Sequence, residues 1–468
     1  MDAGTTTILI HDGPTPAQER AILIHDVPTQ EILAIDERIA TTTERLEADF
    51  ENVDTKIHRF PRDLRGIGGD NDRYIAPSVV AIGPYHRGSA HLQKMEEVKH
   101  AAAYHLCRGK GRSTMEVYEK VLSVVGAARG CYDADDPSVA GVSDADFAAM
   151  MFLDGCFLLQ YMVGDAARVP MLQNRMTGPS VQKDIFLLEN QIPWLVLEAL
   201  TEFMSVDVHG FVDRMGDKFF PGKAKATNCW RRMQRGCIPA PTTGTDERGG
   251  GSSSFEQYKP PHLLGLLRFK QVGRMPEREV NYKGFPLSLS SSAVELAQIG
   301  VRLTRSTQPW FGDTSVSRGH LFGKLSLSPV FLNDVTASWL VNMAALEASI
   351  AASFESDGFV VSSYLAVLAM LMDRKEDVHM LREKRVLHGT LSNKQALGFF
   401  KDLGQNLCFG RRYFATLEQI EAYKRNRWVC IVPYKFVYNN FKVIAAVLSI
   451  TGVLVGIFKT LLSLKHRW

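Results

Sequence analysis

The sequence predicts a mainly α protein, a compact multi-helix globular body with minor β-hairpin content and one C-terminal transmembrane helix. Three observations support this fold class. Apolar residues recur at helical spacing along most of the chain, serine caps precede several of these segments, and a long apolar run lies near the C-terminus. With 468 residues, 45% of them hydrophobic and 22% charged, the chain is long enough to bury a large core.

The N-terminal residues 1–30 contain a short tandem duplication, in which ILIHDGPT at 8–15 returns as ILIHDVPT at 22–29. Two copies are too few for a repeat architecture, which needs about three units. We therefore interpret 1–30 as a flexible tail. Residues 31–430 are predicted to form the helical body, with a linker or insertion at 240–261 that is rich in Gly, Ser and Pro.

Two helices are expected to lie at the centre of the body. Segment 143–163 begins with Ser143, has an acidic residue three positions later, and is apolar on all sides except at Asp154. The second follows Pro193, a residue that suits the first position of a helix. Helical periodicity also marks 91–107.

Two capping boxes predict further helix starts, Ser292 with Glu295 and Ser392 with Gln395. The segment LFGKLSLSPVFLN at 321–333 alternates between apolar and other residues for a few positions. This alternation predicts a small β-hairpin.

The C-terminal apolar run reads VIAAVLSITGVLVGIF from Val443 and continues through KTLLSL. Ser449 and Thr451 are tolerated in lipid because their hydroxyls can bond to carbonyls of their own helix. A bilayer core requires about 20 residues of helix. The sequence therefore predicts a transmembrane helix at 443–464, with the lipid bilayer as a partner.

Basic residues are more numerous before this segment than after it. Those before it are Lys424, Arg425, Arg427, Lys435 and Lys442, and those after it are Lys465 and Arg467. The N-terminus lacks the basic start and apolar stretch of a secretory signal. These features favour a single-pass, tail-anchored protein with a cytosolic body, in either the plasma membrane or an endomembrane.

Charge and cysteine usage narrow the function classes. The net charge of +3 is nearly balanced, so no nucleic-acid partner is expected. The seven cysteines are odd in number and form no C-x-x-C motif, which is typical of reduced, packing cysteines. We expect no metal and no cofactor.

Several motifs together identify a family. They are GPYH (Gly83, Pro84, Tyr85, His86), DGCF (which includes Asp154, Gly155 and Cys156) and LENQIP (which includes Glu189, Asn190, Gln191 and Pro193). With PHLLGLLR at 261–268 and the closing apolar helix, this set resembles the plant family called domain of unknown function 247. The resemblance runs from about Ile57 to the C-terminus.

The resemblance implies a plant protein with a C-terminal transmembrane helix and no assigned biochemistry. Some grass members of the family are linked to self-incompatibility as pollen-side determinants, which implies partner recognition. The shared motifs are expected to be structural. The stretches at 1–30, 108–142 and 240–261 depart most from the family pattern, and a specificity determinant should lie on such variable surfaces.

Individual polar residues leave alternatives open. Asp154 in an apolar helix is either a catalytic acid or one half of a buried pair. Cys156 has no basic neighbour in sequence, which favours packing. Glu189 and the two amides after it either cap a helix start or bind a polar ligand. His86 precedes a turn that leads to His91, but no third metal ligand follows at helical spacing.

From these residues we predict a membrane-tethered, non-enzymatic protein that binds an unidentified protein partner. The alternative is an uncharacterised enzyme with a polar pocket around Asp154 and Glu189, joined by His86. A third hypothesis is a membrane adaptor that forms homo-oligomers through the small residues Gly452 and Gly456, a spacing common in packed transmembrane helices.

Overall fold

The computed structural model describes residues 55–65, 73–164, 178–220, 258–272, 291–307, 310–319, 322–350, 358–426 and 428–465. The structure is mostly helical, at 63%, with a few short strands, which confirms the predicted fold class. The predicted tail and most of the linker lie outside the described residues. All elements below belong to the unit Lys56–Trp468.

Helices make up most of the body before the linker. They are α1 (Lys94–Gly109), α2 (Thr114–Ser123), α3 (Val125–Gly130), α4 (Pro137–Ala140), α5 (Asp144–Val163), α6 (Pro179–Asp184), α7 (Trp194–Thr201) and α8 (Val208–Gly216). The helix predicted at 91–107 is α1, and the segment predicted at 143–163 is α5.

After the linker, helices alternate with short strands. These elements are α9 (Leu263–Val272), α10 (Ala293–Gln298), β1 (Val301–Arg305), β2 (Ser315–Arg318), β3 (Gly323–Leu327), β4 (Val330–Leu332), α11 (Asp334–Ile350), α12 (Val360–Leu371), α13 (Lys375–Glu383), β5 (Leu387–Gly389), α14 (Asn393–Asn406), α15 (Arg411–Asn426) and α16 (Trp428–Lys465).

α5 is the central helix of the first half. The Ser143 hydroxyl accepts a hydrogen bond from the Asp146 N–H at 3.1 Å, which satisfies one of the free amides of the first turn. The helix ends where Gly164 adopts a left-handed φ of +73°. Because α1, α2 and α7 pack around it, most of the apolar surface of α5 is removed from water.

α11 joins residues from both sides of the linker into one core. It packs against α6, α9 and α12, and its Trp339 is fully buried between the rings of Phe186 and Phe219. Asn342 Oδ1 accepts the Leu188 N–H at 2.7 Å. The structure thus ties the LENQIP segment to a helix more than 150 residues later in the chain.

The strands form two small sheets. In the first, β3 lies between β1 and β2, parallel to β1 and antiparallel to β2. In the second, β4 pairs in parallel with β5. The strand content predicted at 321–333 is confirmed, but β3 and β4 belong to different sheets. The hairpin partner of β3 is β2, which precedes the predicted segment, because β4 pairs with β5 instead.

The predicted capping boxes are confirmed at α10 and α14. In each, the serine hydroxyl accepts the N–H of the third residue, whose side chain accepts the serine N–H. Pro193 is the N-cap of α7 rather than its first helical residue. Its φ of −59° still directs the chain into the helix, and the Trp194 N–H donates to the Pro261 carbonyl at 2.8 Å.

Candidate functional site

The GPYH, DGCF and LENQIP motifs meet in one buried polar region, which we call the signature cluster. It comprises the loop from Gly83 to His86, the middle of α5 around Asp154, and the turn from Glu189 to Gln191. The Gly83 N–H donates to Asp154 Oδ2 at 2.7 Å, and the Ile82 N–H donates to Asn190 Oδ1 at 2.7 Å. The loop is therefore bound to both of the other motifs.

Asp154 is paired with a lysine that the sequence analysis did not identify. Lys99 Nζ of α1 lies 2.6 Å from Asp154 Oδ1, and both side chains are at least 98% buried. Burial raises the pKa of Asp154, against the lowering effect of Lys99. Burial alone would lower the pKa of Lys99, but the carboxylates of Asp154 and Glu96 reverse this and raise it. Lys99 therefore stays cationic and offsets the buried carboxylate.

Glu189 is the second buried carboxylate, and it is surrounded by donors. It accepts the Phe60 N–H at 2.8 Å and lies 3.3 Å from Arg59, 3.2 Å from Arg65 and 3.3 Å from His86 Nε2. Burial would raise the pKa of Glu189, but His86, the Phe60 N–H and Arg59 together lower it to about 2. Glu189 is thus a fixed anion that holds the segment from Arg59 to Arg65 against the turn at Glu189.

The two amides after Glu189 bind backbone groups. Asn190 Nδ2 donates to the carbonyls of Val80 and Asp184 at 3.0 and 2.9 Å. Gln191 Nε2 donates to the Leu187 carbonyl at 2.8 Å, and its Oε1 accepts the Leu264 N–H at 3.1 Å. These contacts stabilise an irregular turn and reach the first turn of α9, which leaves little capacity for a ligand.

The glycines of the motifs allow close approach. At Gly83, where φ is +77°, a Cβ would lie 2.4 Å from the Gln191 carbonyl oxygen. At Gly155, a Cβ would lie 2.3 Å from Leu200 Cδ1, so this glycine lets α5 and α7 pack closely. Pro84 opens the turn that Arg87 closes, since its carbonyl accepts the Arg87 N–H at 3.2 Å.

Tyr85 and Cys156 complete the motifs. The Tyr85 hydroxyl donates to the Ile57 carbonyl at 2.9 Å, the Arg59 guanidinium lies 3.9 Å from its ring centre, and burial raises its pKa to about 12. Cys156 is fully buried and reduced beside Cys107 of α1. Contact with Cys107 and burial raise the pKa of the Cys156 thiol well above its usual value.

The structure brings His86 and Glu189 together but gives Asp154 a separate partner. His91 Nε2 lies 3.2 Å from the Pro77 carbonyl rather than beside His86. Among the described residues, no group of three His, Cys, Asp or Glu side chains is arranged to hold a metal ion. The predicted polar pocket around Asp154 and Glu189 corresponds, in these contacts, to ion pairs and backbone hydrogen bonds.

Two further carboxylates in the same core were missed by sequence analysis. Asp184 accepts the N–H groups of Ser78, Val79 and Val80 at 2.7 to 3.0 Å, and burial raises its pKa against these hydrogen bonds. Glu347 of α11 accepts the N–H groups that begin α12 and pairs with Arg268 at 2.9 Å. Glu347 lies inside an apolar run, which was an available signal, whereas Asp184 directly follows Gln182 and Lys183 and gave no such signal.

α16 is the second candidate region. Unlike the signature cluster, it is mainly apolar and mostly exposed. Its stretch Tyr434–Leu461 contains an 18-residue window with a mean hydropathy of 2.3, is long enough to cross a membrane, and has no residue of that window buried in the body. α5 is also long and apolar enough to cross a membrane, but 72% of its apolar 18-residue window is buried. Gly452 and Gly456 lie on α16, and an added Cβ would meet no atom within 4 Å at either position.

Comparison with known proteins agrees with the motifs. Residues 57–455 match the family model described as plant protein of unknown function. A UPF0481 protein of Arabidopsis thaliana is 26% identical over 369 residues, covering 75% of this chain and 73% of the relative. A putative UPF0481 protein of the same plant is 31% identical over 160 residues, covering 34% and 29% of the two chains. No solved structure matches. The chain therefore belongs to the plant family called domain of unknown function 247.

Proposed function

We propose that this chain is a membrane-anchored protein whose helical body recognises another protein. We infer the anchor from the stretch Tyr434–Leu461 of α16, which is apolar and is not buried in the body. A helix of this composition at the surface of a soluble protein would expose a large apolar area to water. A bilayer removes that cost, because lipid is as apolar as the side chains.

The length and exposure of the helix fit a bilayer. Residues 443–464 span about 33 Å as a helix, and a bilayer core is about 30 Å thick. Ten large apolar side chains between Val443 and Leu461 are each 52% to 66% exposed. Burying one such side chain contributes about 1.5–3 kcal/mol, so the set would hold the helix firmly in lipid.

The polar residues of the stretch also fit lipid. The hydroxyls of Ser449, Thr451 and Thr460 donate to the carbonyls four residues earlier at 2.8 to 2.9 Å. They therefore need no water as a partner. Lys459 lies near the C-terminal end, where a long side chain can reach the headgroups.

The proposed orientation places the body in the cytosol. It rests on the excess of basic residues before the helix over those after it, since such residues are retained on the cytosolic side.

The proposed recognition surface is the stretch 108–142, which we expect to depart most from the family pattern and which the structure describes. It contains α2, α3 and α4 and exposes Met115 and Leu122 by 65% and 41%. The signature cluster, in contrast, uses its polar groups within the fold. A partner that distinguishes family members would contact the first surface rather than the second.

Membrane extraction and protease protection test the anchor and its orientation. Full-length protein with an N-terminal epitope is expected to stay in the membrane pellet at alkaline pH, whereas a chain ending at Lys442 is expected in the supernatant. Protease should remove the epitope from sealed microsomes without detergent. Alkaline release of the full-length chain would contradict the anchor, and a protected epitope would contradict the cytosolic body.

Cross-linking in plant membranes tests the recognition surface. Cross-links to a partner are expected to map to 108–142 and to be lost in the variant Met115→Glu with Leu122→Glu. The exposed change Lys394→Glu on α14 is the matched control and should leave them intact. Cross-links that persist in the double variant would rule out this surface.

A further inference from the structure

The first sheet exposes a face of cationic and hydroxyl side chains. Buried and outward positions alternate along β1 and β3, so one face of the sheet packs on the core and the other faces water. The strand register places six residues on the outward face, namely Arg302, Thr304, Ser315, Ser317, Lys324 and Ser326. This set, which we call the basic sheet face, offers only cations and hydroxyls.

Two cations lie side by side on the basic sheet face. Arg302 of β1 is directly opposite Lys324 of β3, which is in turn opposite Ser317 of β2. Adjacent strands are about 4.8 Å apart, and like charges directly opposite each other are destabilising. Within the described ranges neither cation forms an ion pair, and the Arg302 guanidinium lies 3.8 Å from the centre of the Phe322 ring. An anion bound along this row would offset the repulsion.

The basic sheet face adjoins the start of α16. The Phe322 ring, which contacts Arg302, meets the Tyr434 ring of α16 edge-on, with ring centres 5.7 Å apart. At Gly300, just before β1, an added Cβ would lie 3.6 Å from the Tyr434 ring. These contacts hold the sheet against the first turns of α16.

α16 continues the basic surface beyond this contact. Lys435 and Lys442 are seven residues apart and therefore lie on the same side of the helix. Both are exposed, and in the part of the chain that the structure describes neither has an ion-pair partner. Phe436, Tyr438 and Phe441 lie between them in sequence and are 41% to 65% exposed. Exposed aromatic residues beside lysines are typical of the headgroup level of a membrane.

The position of the sheet relative to the bilayer follows from the proposed membrane anchor, on which this inference rests. Tyr434 precedes Val443 by nine residues, which is about 14 Å of helix. The headgroup layer is about 5–8 Å thick on each side of the hydrocarbon core. The sheet contact therefore lies just outside the headgroups, within the ~8 Å over which the surface potential of an anionic membrane acts. Long basic side chains shorten the remaining distance.

We propose that the basic sheet face, together with Lys435 and Lys442, binds the headgroups of anionic phospholipids in the membrane that holds α16. The phosphate oxygens would accept charge-assisted hydrogen bonds from the guanidinium and ammonium groups, and further ones from the serine hydroxyls. A lipid rather than a free phosphate is the occupant, because the anchor keeps this face beside the headgroups. Binding at the sheet as well as at α16 would fix how the body sits on the bilayer.

Spin-labelled lipids test this with the full-length protein in phosphatidylcholine vesicles. Electron paramagnetic resonance measures the fraction of labelled lipid whose motion the protein restricts. We expect phosphatidylserine to associate about twofold or more better than phosphatidylcholine, and high salt to remove the preference. Arg302→Gln with Lys324→Gln should lose about half of the preference or more, and so should Lys435→Gln with Lys442→Gln.

Two further variants serve as controls. Arg87→Gln with Lys394→Gln removes two exposed cations on other elements and should keep the preference. Arg302→Lys with Lys324→Arg retains both charges and should keep it as well. Circular dichroism shows which variants are folded. Lys324→Gln alone, a change at an exposed side chain, carries the test if the double variant of the sheet does not fold.

The outcomes separate the headgroup site from the anchor. Equal restriction of both lipids by the unchanged protein overturns the headgroup site and leaves the anchor intact, because restricted lipid still reports a helix in the bilayer. No restricted lipid of either kind contradicts the anchor and the headgroup site together. An unchanged preference in the folded sheet variants overturns the site at the sheet. Loss of the preference in inorganic phosphate, but not in chloride of equal ionic strength, would replace the lipid site with a site for free phosphate.

Discussion

α5 and α16 are two apolar helices with opposite surroundings. Both are long and apolar enough to cross a membrane, yet α5 is mostly buried in the body, whereas no residue of Tyr434–Leu461 in α16 is buried and most are exposed. α5 carries Asp154, whose charge is matched by Lys99. α16 carries hydroxyls that bond within the helix. Hydropathy alone does not distinguish the buried core helix from the candidate membrane helix. The partners of their polar groups distinguish them, because Asp154 of α5 pairs with another helix and the hydroxyls of α16 bond within their own helix.

The largest expected effect comes from charging α16. The variant Leu448→Asp with Leu454→Asp and Ile457→Asp should release the protein from membranes, since each charge near a bilayer centre costs about 2.5–3.5 kcal/mol. Alkaline extraction measures the release, and circular dichroism should show that the body stays folded. The same three positions changed to alanine are the control and should keep the protein in the membrane. If the charged variant remains in the pellet, α16 does not anchor the protein, and the proposed difference between α16 and α5 is wrong.

The next effect concerns the charge inside α5. Lys99→Met should lower the free energy of unfolding by about 3–5 kcal/mol, because it leaves the Asp154 carboxylate buried without a cation. Denaturant unfolding of the full-length protein in nanodiscs measures it. Adding Asp154→Leu should restore much of the stability, and the exposed change Lys94→Met should cost little. A loss below about 1 kcal/mol for Lys99→Met would show that the pair is not structural.

Glu189 gives the cluster a pH dependence. Its pKa is lowered from the usual 4.5 to about 2, so its contribution to stability is complete above about pH 5 and is lost as the pH falls through 2. We expect about 2 kcal/mol, reduced by the partial exposure of Arg59 and Arg65.

Urea unfolding at pH 6 and pH 3 measures this contribution. Stability should fall less between the two pH values in Glu189→Gln than in the unchanged protein. The exposed change Glu198→Gln should behave like the unchanged protein. An identical fall in all three would show that Glu189 is not held as an anion.

Two glycines, Gly155 of α5 and Gly452 of α16, extend the comparison of the two helices, with a smaller expected effect on stability. Gly155→Ala should cost about 1–3 kcal/mol, because its Cβ would overlap Leu200 in the packed contact of α5 and α7. Gly452→Ala should not destabilise the body, because nothing lies within 4 Å of the new Cβ. Thermal unfolding of both variants gives the comparison, and equal losses would contradict it.

The smallest expected effect is on self-association through α16. If the third hypothesis holds, Gly452→Leu with Gly456→Leu should weaken association of the anchor severalfold without changing the body. Energy transfer between labelled copies at varied lipid dilution measures this. Unchanged transfer would exclude this face as a contact between copies.

The sequence predicted the helices best where the signal was local. Ser143, Ser292 and Ser392 begin helices as their spacing indicated, because a cap depends only on residues a few positions away. The hairpin at 321–333 was wrong in its pairing, since the partner of a strand is set by contacts that alternation does not encode.

The partners in the signature cluster were beyond sequence reasoning. Asp154 was expected to be either a catalytic acid or one half of a buried pair, but nothing in the spacing identified Lys99, 55 positions earlier. The cation partners of Glu189 come from the segment around Arg59, 130 residues away. Such contacts form only once the chain folds. Burial of apolar residues then brings together α1, α5 and the turn from Glu189 to Gln191.

The central claim is that α16 lies in the bilayer and α5 in the core of the body. Photolabelling with a diazirine lipid tests this most directly, because it measures the lipid contact of both helices in the same unaltered protein. After irradiation of membranes that contain the full-length protein, labelled peptides are mapped by mass spectrometry. We expect label within Tyr434–Leu461 and none within Asp144–Val163. Label within Asp144–Val163, or an unlabelled Tyr434–Leu461, would contradict it.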